Sequence, residues 1–368
     1  MTQSPNPLMT DYTSRVTRHA SRKLALLVIL TIGSSVPSGQ VFAGGDERIG
    51  TAGAQELRIP VGSRGTALGG AALAAVSGAD ALYWNPAGLV RSNKAEVLLS
   101  HLRYIADMDL NYFAVSSRIS RSAALGLSVK ILSIGEIIAT TEESPDGTGE
   151  IFSPHFSVLG VTYSSQLTDR VFFGVTAKVM GEQILTERAW GMAIDLGFQY
   201  VPGFRGLRLG IALKQFGPNM RFDGPGLEHH IRLPETDPQA SNRTVRTRLA
   251  SFELPTCIEL GAAYETVREG RHKTTAVVTF RSNTMSENEY QAGLEYTLGG
   301  LLSLRGGYVL SVEAQSTRSG FAKQFIFGPA FGFGLYLTAG RTEIGLDYAY
   351  RRTDFFEDNQ WFTLVFAF

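Results

Sequence analysis

The sequence predicts an all-β chain, a 14-stranded antiparallel transmembrane β-barrel with a short helical N-terminal plug, and three observations predict it. The first is an apolar–polar alternation of period two that recurs from Ala95 to the C-terminus. The second is that the connections between these runs sort by length: every second one is short, and the long ones fall among the others. The third is the last run, which carries Phe362, Leu364, Phe366 and Phe368 on one face and ends the chain.

Residues 1–43 are expected to be a secretory signal peptide. Arg15, Arg18, Arg22 and Lys23 precede an apolar run from Leu24 to Ile32, and Val41-Phe42-Ala43 offers small residues before Gly44. An apolar stretch this short cannot span about 30 Å of hydrocarbon as a helix. The region before Arg15 is long for a signal, so translation can start at Met1 or Met9.

Residues 44–94 do not alternate. Gly62-Ser63-Arg64-Gly65-Thr66-Ala67-Leu68-Gly69-Gly70-Ala71-Ala72-Leu73-Ala74 is a run of mostly small residues, leading to Asp80-Ala81-Leu82-Tyr83-Trp84-Asn85-Pro86-Ala87-Gly88-Leu89. Small side chains allow backbone to approach backbone, as in a crowded lumen. Asp80 can cap a helical turn, and Asn85-Pro86 sets an N-cap before a proline at the first helical position. The segment reads as a compact plug of short helices.

Residues 95–368 form the expected barrel. Strand-like runs lie near 95–102, 109–118, 122–136, 154–166, 170–184, 190–201, 207–216, 254–266, 272–282, 289–298, 302–311, 326–338, 341–351 and 359–368. Ile344, Leu346, Tyr348 and Tyr350 alternate with Glu343, Gly345, Asp347 and Ala349, and Leu207, Leu209, Ile211 and Leu213 with Arg208, Gly210, Ala212 and Lys214. In a sandwich the apolar face would meet a second sheet; in a barrel it meets lipid. A sandwich gives no reason for the parity of the links, whereas short periplasmic turns and long outer loops do. Trp190, Tyr200, Tyr264, Tyr290, Tyr296, Tyr308, Tyr348 and Trp361 fall at strand ends or on the outward set, which suits interfacial girdles. Pro329 makes the start of its strand uncertain.

The inward set holds Lys130, Lys178, Arg208, Lys214 and Arg305 with Asp195, Glu259, Glu265, Glu295, Glu343 and Asp347, expected to pair across a narrow lumen. Inward glycines, Gly126, Gly174, Gly210, Gly261, Gly293, Gly307, Gly332, Gly334 and Gly345, leave room for something bulky, the plug being the simplest occupant.

The composition narrows the function classes. Lys+Arg and Asp+Glu both number 34, so no net charge marks a nucleic-acid surface. Only 18% of residues are charged, and no apolar run approaches the roughly 20 residues of a membrane helix. The single Cys257 excludes an internal disulfide, and its inward position suits a small buried residue. No HExxH, GxSxG or Walker pattern occurs, His229-His230 sits in a polar loop, and His101 and His155 stand without a motif. The expectation is a protein that is not an enzyme and has no cofactor or metal.

The string Tyr83-Trp84-Asn85-Pro86-Ala87-Gly88-Leu89, preceded by Arg64 and Gly69-Gly70 and following a signal peptide, resembles the PorV/PorQ family, a branch of the FadL-like (long-chain fatty acid transporter) outer-membrane barrels. The resemblance extends over residues 44–368. It implies a monomeric barrel in the outer membrane of a Gram-negative-type bacterium, with Gly69, Gly70, Tyr83, Trp84, Asn85, Pro86 and Ala87 in a plug. It implies outer-membrane lipid and the barrel assembly machinery as partners, the latter reading Phe368. Two roles stay open: passage of hydrophobic small molecules, or receipt and handover of secreted proteins in type IX secretion.

Overall fold

The computed structural model describes residues 50–231, 243–268, 271–311 and 326–368. The expected signal peptide, its cleavage site near Ala43 and the Met9 start lie outside them.

Fourteen strands form the ring. The first seven are β1 (Glu96–Arg103), β2 (Asp109–Arg118), β3 (Ala123–Ser133), β4 (His155–Gln166), β5 (Val171–Ile184), β6 (Glu187–Tyr200) and β7 (Leu207–Phe216). The rest are β8 (Cys257–Arg268), β9 (His272–Asn283), β10 (Glu289–Leu298), β11 (Leu302–Ser311), β12 (Phe327–Ala339), β13 (Thr342–Thr353) and β14 (Asn359–Ala367). Each strand pairs antiparallel with its chain neighbours, and β1 closes the ring by pairing Leu98 with Ala114 on β2 and with Val365 on β14. Closure leaves no strand edge open.

Period-two alternation sets the two faces. On β13, Ile344 and Leu346 are exposed while Gly345, Asp347 and Ala349 are buried. The same pattern on the other strands covers the outer surface with exposed Leu209, Ile211, Ile258, Leu260, Leu335 and Phe362. Polar and small residues fill the inside, with Lys130, Lys178, Lys214, Glu259 and Asp347 all buried.

Strand ends differ from the sequence-based expectation where backbone chemistry intervenes. Gly135, at φ 87°, ends β3 at Ser133 rather than at residue 136. Leu185, at φ 54°, makes a two-residue turn with Thr186, so β6 starts at Glu187 instead of residue 190. Pro255 keeps residues 254–256 out of the ladder, and β8 starts at Cys257. Pro329 is accommodated by a register shift between Phe327 and Ala330 on β12. The links after the even-numbered strands are short, and the long links all follow odd-numbered strands. Two of these carry short ribbons, Ile137–Ile138 with Ile151–Phe152 and Glu228–Ile231 with Arg243–Arg246, and Phe222–Asp223 adds to the end of β6.

Trp361 corrects the girdle expectation. It is fully buried, points inward, and donates Nε1–H to the Pro60 carbonyl at 3.0 Å. Its neighbours Gln360 and Phe362 occupy the opposite face, so one residue of register decides between outward and inward placement.

Residues 50–94 contain two short α-helices, Ser63–Ala67 and Ala81–Trp84, and 3₁₀ turns at Gln55–Arg58, Gly78–Asp80 and Pro86–Arg91. Seven of the nine inward glycines face this segment: Gly126 meets Leu82, Gly174 meets Pro86, Gly210 and Gly261 meet Leu73, Gly293 and Gly307 meet Leu68, and Gly332 meets Ala67. These glycines sit on β3, β5, β7, β8, β10, β11 and β12, all round a closed ring, so the segment lies inside it. Gly334 and Gly345 instead make room for the Asp347 carboxylate and the Tyr336 ring.

Candidate functional site

The segment is fixed by polar side chains that reach inward to its backbone. Lys130 Nζ donates to the carbonyls of Glu56 at 2.5 Å and Ile59 at 2.7 Å. Gln215 Nε2 donates to Leu57 O at 2.9 Å, and Gln199 Nε2 to Leu73 O at 3.1 Å and Val76 O at 3.2 Å. Short 3₁₀ turns leave many carbonyls without intrahelical partners, and the barrel wall supplies the donors.

Asn85 is the centre of the expected motif. Its side chain accepts from Ala87 N at 3.2 Å, capping the turn that Pro86 opens. Its Nδ2 donates to Leu73 O at 3.1 Å and to Phe198 O on β6 at 3.2 Å. Pro86 fits against Gly174 and Gly197, and the Ala87 carbonyl accepts from Ser164 Oγ at 3.1 Å. Gly69 and Gly70, at φ 68° and 86°, turn the chain where Gly69 abuts the backbone of Tyr308. Asp80 precedes the helix Ala81–Trp84 but makes no capping hydrogen bond there. Asn85→Ala is expected to cost about 1–3 kcal/mol of segment docking, because it leaves the buried Ala87 N–H without its acceptor and removes the link from the segment to Phe198 O. Faster proteolysis of the segment in the assembled barrel checks it.

Tyr83 and Trp84 pack edge to face at 5.0 Å. The Tyr83 hydroxyl donates to Arg58 O at 3.2 Å, and its ring lies 4.5 Å from Lys214 Nζ and 5.1 Å from Lys130 Nζ. Burial pushes the Tyr83 phenol up, so it stays a neutral donor.

Most of the expected lumen charges are brought into pairs. Lys178 meets Asp195 at 2.5 Å, Lys214 meets Glu259 at 3.6 Å, and Arg208 pairs with Glu265. Arg64 grips Glu295 with two bonds of 2.9 Å, while Arg305 bridges Glu295 at 2.7 Å and Asp347 at 2.5 Å. Glu343 departs from the expected lumen lining. It stands half-exposed at the rim where β13 begins, paired with Lys94 at 2.5 Å. Its inward parity held, but the strand end carries it past the enclosed lumen.

Burial pushes the Asp80 carboxyl up to about 6, opposed by Arg64 and helped by Asp347 and Glu96. An acid with a raised pKa in the docked state binds its proton more tightly there than when undocked. Its contribution to docking therefore falls as pH rises from its ordinary 3.8 through about 6, and stays low above. Protease protection of the segment should be stronger at pH 5 than at pH 7.5, and Asp80→Asn should remove that difference.

Two cavities lie at opposite ends of the segment. At the end of the long links a cavity of about 490 Å³ is walled by Ile59, Tyr104, Leu132, Ile134, Phe156 and Phe327 among others, with Trp84 at its edge. At the tight-turn end a cavity of about 430 Å³ is lined by Arg91, Arg208, Glu265 and Lys273 with Val201 and Leu207. The first is mostly apolar, the second more polar than apolar. Polar residues of the first cavity that the sequence pattern left unmarked, Glu182, Arg281 and Arg351, share the inward parity of Lys178, Glu259 and Asp347, and extending the alternation to the strand ends would have found them. Glu56 lies in the non-alternating segment and gives no such signal. Among the described residues no three His, Cys, Asp or Glu side chains gather where a metal ion could sit.

No family model matches the sequence, and no curated protein matches it. Solved structures do match by fold. The Pseudomonas putida toluene transporter TodX superposes with a TM-score of 0.54 at 14% identity, over 82% of this chain and 96% of that one. A Pseudomonas aeruginosa FadL homologue does so with a TM-score of 0.50 at 13% identity, over 84% and 98%. The fold is that of the FadL-like barrels. A TodX deltaS2S3 mutant, a monoaromatic hydrocarbon channel, gives 0.50 at 12% identity over 83% and 97%. The FadL-like ring thus covers nearly the whole of these barrels, while the sequences share little beyond what strand alternation imposes.

Proposed function

We propose that this chain is a non-enzymatic barrel of the outer membrane of a Gram-negative-type bacterium, passing hydrophobic small molecules, with residues 50–94 as its plug. The carrying observation is the apolar cavity of about 490 Å³ at the long-link end, to whose lining that segment contributes Ile59, Pro60 and Trp84. A concave, largely apolar site with a few polar groups is the shape that small apolar ligands fill. The exposed band of Leu, Ile and Phe on the outer face supports a lipid surround, since a soluble ring would leave that band in water. Phe368 supports recognition by the barrel assembly machinery, and a fully paired ring needs no second copy for closure. The passage reading is preferred to receipt of secreted proteins because TodX, of the same fold, is a toluene transporter. Membership of the PorV/PorQ branch rests on the Tyr83–Leu89 string with Arg64 and Gly69-Gly70 before it.

Cells bearing the barrel in their outer membrane should take up naphthalene faster than cells without it. Equal uptake, with the barrel shown to be folded in the outer-membrane fraction, would defeat the reading. Trp84→Ala, which removes part of the cavity lining, should alter that uptake while leaving barrel assembly intact.

A further inference from the structure

We infer that the cavity at the long-link end is built for an uncharged apolar molecule bearing a hydroxyl, an alcohol or a phenol, rather than for a bare hydrocarbon or a carboxylate. The inference rests on the passage reading and narrows its ligand.

Glu56 and Glu182 both line the cavity and are 4% and 6% exposed, yet each has an Oε1 oxygen that is buried without a hydrogen-bond partner. A donor is orphaned as well: the Nε of Arg351, whose guanidinium lies 4.2 Å over the Phe327 ring. Gln291 Oε1 and Trp84 Nε1, in the same lining, are buried without partners too. Buried polar groups are nearly always satisfied in a folded protein, so three acceptors and two donors without partners around one cavity point to a ligand that engages some of them. A bare hydrocarbon would seal these groups away from water and give them nothing in return.

The charge of the ligand follows from the lining. Arg58, Arg281 and Arg351 are balanced by Glu56, Glu182 and Glu289. Glu289 already holds Arg58 at 3.1 Å and Arg281 at 3.2 Å, and Arg281 also binds Glu259 at 2.8 Å. A carboxylate would gain Arg351 but face Glu56 and Glu182. An ammonium would gain those two but face Arg351. A hydroxyl donates to a carboxyl oxygen, accepts from a guanidinium, and adds no charge. The apolar walls from Leu132, Ile134 and Phe156 take the remainder of the molecule.

The test uses the full-length barrel in detergent micelles and three probes of one shape: naphthalene, 2-naphthol and 2-naphthoate. Binding is read from probe fluorescence after subtraction of uptake by empty micelles. The expected result is 2-naphthol bound at least about tenfold tighter than either of the others, the discrimination of one well-made buried hydrogen bond. Glu56→Leu with Glu182→Leu should abolish that preference while naphthalene binding holds or tightens. Glu182→Gln, which keeps an acceptor oxygen, should retain it, and resistance of each folded barrel to detergent unfolding guards against misassembly. Naphthalene bound as well as 2-naphthol, or 2-naphthoate bound best, would overturn the inference and leave the passage reading standing. No binding of any probe would overturn both.

Discussion

Valine in place of both Gly174 and Gly307 is expected to drive the N-terminal segment out of the ring and leave an open pore. A Cβ at Gly174 would come closer than 3.0 Å to Pro86 C and Ala87 N, and one at Gly307 closer than 3.0 Å to Leu68 C and Gly69 N. All four atoms are backbone, so no rotamer change relieves the clash. The two glycines lie on β5 and β11 and press the segment from different sides of the ring. Valine suits a strand, so the ladder itself should be unharmed. Overpacking costs typically about 1–3 kcal/mol per site, and two sites together should raise the undocked population at least about 30-fold. Gly306→Val is the matched control: it sits on the same strand but faces outward, 3.7 Å from the Phe331 ring, where a Cβ makes ordinary contact. Vancomycin sensitivity of cells bearing each variant reads the outcome. If the double variant leaves cells as resistant as Gly306→Val does, the segment does not close the pore.

The ring was legible in the sequence because its information is periodic and local. Leu207, Leu209 and Ile211 against Arg208, Gly210 and Ala212 state the two faces of β7 without reference to any other strand, and the short link Pro202–Gly206 states its register with β6. The segment was legible in kind but not in detail. Asn85-Pro86 announces a cap, and the structure shows that cap; nothing in the string says that Asn85 also reaches Phe198 on β6, 113 residues away. That contact exists because Gly197 leaves space beside it, a property of the closed ring rather than of either stretch. Trp361 was misplaced for a related reason. Aromatic residues near strand ends serve girdles and lumens equally, and its parity within a run beginning at Asn359 decides the matter.

The same distinction separates the charges that sequence could pair from those it could not. Arg305, Glu295 and Asp347 lie on β11, β10 and β13, and inward parity brings all three into the lumen. Arg64 comes from the segment, 231 residues from Glu295, and its double bond to that carboxylate follows only once Ser63–Ala67 has docked. The network thus has a barrel half written in alternation and a segment half written in packing.

Arg305 is the keystone of that network, and Arg305→Met should be the most destabilising single change in the barrel wall. Its side chain is 1% exposed, and it donates to Glu295 Oε2 at 2.7 Å, to Asp347 Oδ1 at 2.5 Å and to the Tyr336 hydroxyl at 2.6 Å. Methionine matches its length but leaves Asp347 with only the Tyr336 hydroxyl, at 2.8 Å, and Glu295 with Arg64 alone. Breaking a buried ion pair from one side costs about 3–5 kcal/mol, because the surviving carboxylate is stranded in a low dielectric. Unfolding of the refolded barrel in micelles by guanidinium should show that loss, and Arg305→Met with Asp347→Leu should recover part of it by removing the stranded charge. The two variants then separate stability from placement. Replacing the whole wall-side cluster by apolar side chains can restore the folding free energy, but Arg64 would then carry a buried guanidinium with no carboxylate to meet. The segment would keep Arg58 on Glu289 but lose the second charged contact that holds it against β10, so a stable barrel with a loosened segment is the expected product of the full apolar replacement.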